Sequence, residues 1–296
     1  MNTTNSLTRS SQYAATFIGH FGWRSILVAT AIQLTYVLTI TQVVRGSLPL
    51  WLGFCINTVL AYFSFAPVHE AIHGNISGRG GTPAQAPWVD SIFGWMWCFM
   101  LITPFSAYRR LHLGHHAHTN HPDLDVNYYV KADNGWISAW QCIKARVLYI
   151  LVMKRHGAKP STVDKKVRNL ILVAIAMNYG CLGVLIAFAA VGHFAEALFL
   201  WYLPANVAIV CLELLFAYLP HHPHVSQDPY ENTRVTTFFG SSYLLMGNDY
   251  HIIHHLFPRV PFYRLPRVFR AIEPELVAKG VVIEHVGFAG GQTVKS

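Results

Sequence analysis

Apolar residues in this chain gather into long, nearly charge-free runs separated by polar stretches. Four are long enough to cross a bilayer, which takes about 20 residues of α-helix. They are Ile26–Val44, Leu48–Val68, Leu170–Val191 and Phe194–Leu219, the last holding one acid, Glu213. The short turns Arg45–Gly46–Ser47 and Gly192–His193 pair them into two hairpins. A fifth run, Ser91–Phe105, is aromatic and too short to span, and reads as a re-entrant or interfacial segment. The pattern predicts an all-α integral membrane protein: four transmembrane helices in two hairpins, one re-entrant segment and a cytoplasmic helical cap rich in histidine. It is expected to be one domain over 1–296, with a polar N-terminal tail to about 20 and a flexible tail from about 284.

Composition agrees. The chain is 53% hydrophobic and only 12% charged, against about 25% in soluble domains. The basic balance, 22 Lys+Arg against 14 Asp+Glu, points to loops beside anionic lipid and not to nucleic acid. Residues 106–169 hold eleven Lys or Arg, whereas the opposite turns hold only Arg45. The positive-inside rule therefore places both hairpin bases in the cytoplasm, at the inner membrane if the source is bacterial. The five cysteines form no C-x-x-C pair, against a zinc ribbon or iron–sulfur domain. The N-terminus has no apolar core of a signal peptide.

Histidine carries the chemistry. "HEAIH" gives His69 and His73; "HLGHH" gives His112, His115 and His116; "YLPHHPH" gives His221, His222 and His224; "HIIHH" gives His251, His254 and His255. Residues at i, i+3 and i+4 share one side of a helix, so each box offers an imidazole face at the end of an apolar run. Buried and unpartnered, so many imidazoles are costly; protonated, they repel. Metal removes both difficulties, and eight or nine ligands suit two ions. His20, His156, His193 and His285 stand alone and read as ordinary core or surface residues, and His118, His121 and His224 as extra to the ligand set. Two other classes stay open. "HEAIH" is also the H-E-x-x-H of zinc metallopeptidases, which leaves the downstream boxes unexplained. A histidine-rich metal transporter would place its ligands at mid-bilayer, not at helix ends.

The ordered boxes "HEAIH", "HLGHH" and "HIIHH", with His221 or His222 after the last span, resemble the membrane fatty acid desaturase superfamily, which includes acyl desaturases, carotenoid ketolases and hydroxylases. "HHAHTN" is similar to the acyl-lipid desaturases, and "YLPHHPH" to the ketolases. The resemblance implies a non-haem di-iron centre, two Fe ions with O2 as co-substrate, that removes hydrogen from an unactivated C–H bond of a lipid. It implies His69, His73, His112, His115, His116, His221, His251, His254 and His255 as ligands, with His222 as an alternate. The expected reaction is desaturation or hydroxylation of a fatty acyl chain, or else oxidation of a carotenoid. Carboxylates are expected to orient the imidazoles: Glu70, Asp123, Asp125, Asp249 and also Glu231. Glu213 is a candidate lining of the substrate slot. An external donor (a ferredoxin, a rubredoxin or a b-type cytochrome) is expected to bring electrons. Arg259, Arg264, Arg267 and Arg270 form a basic patch suited to lipid headgroups or such a donor.

Overall fold

The computed structural model describes residues 10–78, 88–147 and 165–286; His156 and the tail beyond 286 lie outside them. The first apolar run forms α1 (Trp23–Val44). The second forms α2 (Leu50–Phe63) and α3 (Phe65–His73). Ser64 keeps helical dihedrals between them, so the two make one 24-residue rod. That rod runs past the predicted end at Val68 and carries His69 and His73 on its last turn. Gly74, with φ of 79°, stops it in the left-handed region that a side chain resists.

The aromatic run forms α4 (Trp88–Cys98) and leads into α5 (Phe105–Ala117) across a bend of 96°. Ile102 is left-handed there, and Pro104 has no N–H for a continuing helix. Next come α6 (Gly135–Val147) and α7 (Lys165–Ala190). The last rod, Phe194–Tyr218, combines α8 (Phe194–Ala197), α9 (Leu203–Leu212) and two wide π-type turns, Leu198–Tyr202 and Glu213–Tyr218. A wide turn frees carbonyls that lipid cannot satisfy. Tyr36 Oη and Asn57 Nδ2 both donate to Leu200 O, each at 2.8 Å.

By length and composition three helices can cross a membrane: Trp23–Val44, Leu50–His73 and Phe194–Tyr218. The bent pair makes a fourth if it is one span. The remaining predicted span, Leu170–Val191, lies on α7, whose apolar stretch among described residues is Tyr179–Ala190. Leu27, Leu34, Val37 and Leu38 are exposed along α1, a face that suits lipid and not water.

The fold is mostly helical, as expected of an all-α membrane protein, with a short strand pair in the cap. β1 (Val235–Phe238) pairs in parallel with β2 (Ile283–Val286), Val235 opposite Ile283. Residues 284–286, expected in a flexible tail, are thus strand. Residues 10–15, expected in the polar tail, form a short helix with Ala14 fully buried. α10 (Ser241–Leu244), α11 (His251–Leu256) and α12 (Leu265–Ala278) complete the cap. In α12 the buried Leu265, Val268, Phe269, Ile272 and Leu276 form one stripe. It packs with Ile252 and Ile253 of α11. The H-I-I-H-H spelling of α11 therefore sends its isoleucines into the cap core and its histidines the other way.

Candidate metal centre

The nine expected histidines converge in two adjacent clusters. The ligand atoms of His69, His73, His112, His116 and His254 lie within 4.8 Å of one another, as do those of His115, His221, His251 and His255. The shared imidazole face expected of each triad is thus split. Positions i and i+4 are about 40° apart around a helix, whereas i+3 and i+4 are about 100° apart. In α5, His112 and His116 serve the first cluster and His115 the second. In α11, His251 and His255 serve the second and His254 the first. Rings of the two clusters touch where His116 stacks on His255, centroids 4.3 Å apart.

Proton placement decides what the clusters can hold. A neutral imidazole has one N–H and one lone pair. His115 Nδ1 donates to Asp125 Oδ1 at 2.8 Å, His221 Nδ1 to Asn232 O at 2.9 Å, and His251 Nδ1 to Asn248 Oδ1 at 3.0 Å. The Thr119 hydroxyl spends its proton on His115 O and so accepts from His255 Nδ1 at 3.3 Å. All four Nε2 atoms then carry bare lone pairs, yet His221 Nε2 lies 3.2 Å from that of His115 and 3.0 Å from that of His251. His255 Nε2 is 3.1 Å from His251 Nε2. For neutral rings these contacts leave no bridging proton, and a shared cation would satisfy the facing lone pairs. Burial, and then the neighbouring imidazoles, push His221, His251, His254 and His255 well below the ordinary histidine range, which keeps them neutral. In the first cluster His112 Nε2 sits 2.9 Å from His69 and 3.0 Å from His73 and His116, and His116 is 3.0 Å from His254. Nitrogens at right angles on a metal with bonds of about 2.1 Å would be about 3.0 Å apart.

Of the expected orienting acids, Asp125 touches a ligand. Its carboxylate is 2% exposed and accepts from His115 Nδ1, Asn120 N and Asn127 N. The other acids act elsewhere. Glu70 Oε1 accepts from Asn75 Nδ2 and Phe262 N, each at 3.2 Å, and Asn75 also donates to Pro258 O. Glu70 thus ties the end of the first box to the segment after the third, because its side chain leaves the helix away from the His69–His73 face. Asp249 Oδ2 accepts from Ser241 and Ser242, and its neighbour Asn248 holds His251 instead. Asp123 is exposed, and Glu231 accepts from Ser226. Glu213 accepts from Tyr129 Oη, a partner far off in sequence. His222 lies outside both clusters, beside the Tyr218 ring, so His221 fills the fourth position. His118 is exposed, and His121 Nδ1 accepts from Asp123 N. His224 is buried beside His221 and donates to Asn120 Oδ1 at 3.3 Å. In the basic patch Arg264 sits over the Phe17 and Tyr263 rings, and Arg259, Arg267 and Arg270 are exposed.

Sequence reasoning missed Thr119 and Asn248, and also Asn120. The Asn120 N–H reaches Asp125, and its Nδ2 donates to Asn232 O at 2.8 Å, the carbonyl that holds His221. It links two arms of the second cluster. The signal, an asparagine in "HTNH", is indistinguishable from a turn residue. A cavity of about 260 Å³ opens over the junction of the clusters, bordered by His116, His255, Thr119 and Asn232.

Paired all-histidine clusters, each able to hold a metal ion, sit where apolar rods meet a helical cap and define a class: membrane proteins with two adjoining histidine clusters. The profile of the fatty acid desaturase family matches residues 45–287, and the chain belongs to that family. It is 22% identical to a chloroplastic omega-3 fatty acid desaturase of Glycine max over 70% of this chain and 50% of that one. It is 21% identical to a probable fatty acid desaturase of Sorghum bicolor (86% and 71%), and 24% identical to a fatty acid conjugase of Calendula officinalis (64% and 60%). The chain spans about half the length of the first of these relatives.

Proposed function

We propose that this chain is an O2-dependent oxidoreductase of fatty acyl chains, a desaturase or hydroxylase with two iron ions in its histidine clusters. The observation that carries the reading is the convergence of nine imidazoles into groups of five and four. Five donors exceed the four of a structural zinc site, and two adjacent groups exceed what a metallopeptidase uses. Iron bound there would supply O2 activation and the removal of hydrogen from a C–H bond.

The protein's own part is placement and exclusion of water. Phe65 stacks on His69 with centroids 5.1 Å apart and on Phe216 at 4.9 Å, and Phe216 stacks on Tyr62 at 6.2 Å. This aromatic wall runs from the first cluster down between two rods and suits a methylene chain. Asp125, the Asn232 carbonyl, Asn248 and Thr119 hold the second cluster's Nδ1 protons outward and so keep Nε2 free for metal. Converting CH2–CH2 to CH=CH while O2 becomes two waters consumes two electrons and two protons. A separate donor, a ferredoxin, a rubredoxin or a b-type cytochrome, would supply the electrons at the cytoplasmic face.

Expression in a host with defined lipids, followed by analysis of acyl chains and iron, tests the reading. A new double bond or hydroxyl that depends on O2, with two irons per chain, is expected. Unchanged acyl chains with newly oxidised carotenoids would replace the substrate. One zinc and no iron would overturn the metal centre.

A further inference from the structure

The cap presents an apolar tip that no part of the described fold covers. Phe239 is 90% exposed and Tyr243 86%, and Leu244 beside them is also exposed. They sit on the turn between β1 and the 3-10 turn Asn248–Tyr250, in a segment the sequence assigns to the aqueous cap. We infer that this tip, Phe239–Leu244, is inserted into the lipid leaflet beside the metal centre.

Three observations point to lipid as the occupant. The tip is stitched to a membrane-crossing rod: Tyr62 Oη donates to Leu244 O at 2.7 Å. Tyr62 lies seven residues before His69 on the Leu50–His73 rod, about 10 Å further from the histidine end at 1.5 Å per residue. The next residues, Leu245 and Met246, belong to the same buried core as Tyr62, Phe65 and Phe216. The tip therefore reaches bilayer depth and does not stand off in water.

The N–H groups of its second half and both serine hydroxyls are satisfied from within, which suits a lipid environment. Backbone N–H groups from Tyr243 to Asn248 all donate inside the turn, to Gly240, Ser241, Tyr243, Ser242 and Leu245 carbonyls. Gly240, at φ of 83°, starts this turn in a conformation that a side chain would strain. The Ser241 and Ser242 hydroxyls both fold inward onto Asp249 Oδ2, at 2.8 and 2.6 Å. The buried Asp249 thereby draws the turn's hydroxyls to one side and leaves the aromatic side outermost. A tyrosine at the edge of an apolar rod is what the interfacial belt of a bilayer selects, and the phenylalanine beside it suits the acyl boundary.

The test uses the full chain in phosphatidylcholine–phosphatidylglycerol vesicles, with the exposed Cys55 and Cys211 replaced by Ala and one spin label at a time. Labels at Phe239→Cys and Tyr243→Cys are compared with Leu34→Cys on α1 and Asp123→Cys in the exposed loop after the second box. Collision with O2, which concentrates in lipid, is read against collision with chromium oxalate, which stays in water. Loss of chromium oxalate collisions at both tip positions, to the level of Leu34→Cys, is expected. Aqueous behaviour at either position overturns the inference, and would instead mark the tip as a surface for a protein partner. The readout needs no turnover, so it can fail while the proposed reaction stands.

Discussion

Asp125→Asn is the sharpest probe of how the second cluster is held. The carboxylate accepts three N–H groups: His115 Nδ1 and Asn127 N on Oδ1, both at 2.8 Å, and Asn120 N on Oδ2 at 2.8 Å. An asparagine has one acceptor oxygen. If that oxygen keeps His115 and Asn127, its NH2 faces the Asn120 N–H, donor against donor. If it turns to Asn120, the His115 ring loses its anchor. A buried donor left unsatisfied costs about 1–3 kcal/mol, and one tenfold change in affinity corresponds to about 1.4 kcal/mol. Iron in the second cluster should therefore bind about 10–100-fold more weakly, the usual range for loss of a residue that orients a ligand. The assay is iron per chain during a chelator titration of detergent-purified protein, with acyl product measured alongside. Asp123→Asn, at an exposed position, is the control and should behave as the parent. Parental iron affinity and product formation in Asp125→Asn would refute the argument.

Other outcomes follow from the same geometry. Asn248→Ala should weaken second-cluster iron about tenfold through loss of the His251 anchor, whereas Asp249→Asn leaves that bond intact and should keep its iron; metal analysis separates them. His251→Ala leaves three donors in its cluster and His73→Ala leaves four, so iron per chain should fall further in His251→Ala while product is lost in both; His222→Ala should retain both. At Glu70 the hydrogen bonds favour Gln over Asp as a replacement. A single oxygen, Oε1, accepts from both Asn75 and Phe262 N, which Gln can reproduce and the shorter Asp cannot reach. Glu70→Gln should retain most activity and Glu70→Asp should lose stability by about 1–3 kcal/mol, as thermal unfolding with parallel activity assays would reveal.

Much of the candidate site was legible in the chain itself. Helical spacing marked which histidines gather at helix ends, and the apolar runs marked where the rods lie, because both signals are local and repeat with the period of the backbone. The same locality set the limit. Spacing alone treats "HLGHH" as one face; only the meeting of α3, α5 and α11 decides that His112 and His116 point to one cluster and His115 to the other. Which nitrogen of each ring is free depends on partners distant in sequence. Asn232 O on His221, 11 residues away, and Thr119 on His255, 136 residues away, leave no mark in composition or periodicity. The acids illustrate the same division. Asp125 and Glu70 are both carboxylates near a box, and sequence proximity recommends them equally, yet packing gives one to His115 and the other to the Phe262 backbone. The sequence by itself determined the apolar rods, the positions of the imidazoles and their number, since those depend on residue type and helical period. Tertiary structure decided the division into five and four, the hydrogen bonds that free each Nε2 and the turning of Phe239 and Tyr243 outward, since each depends on contacts between segments that the chain brings together only when folded.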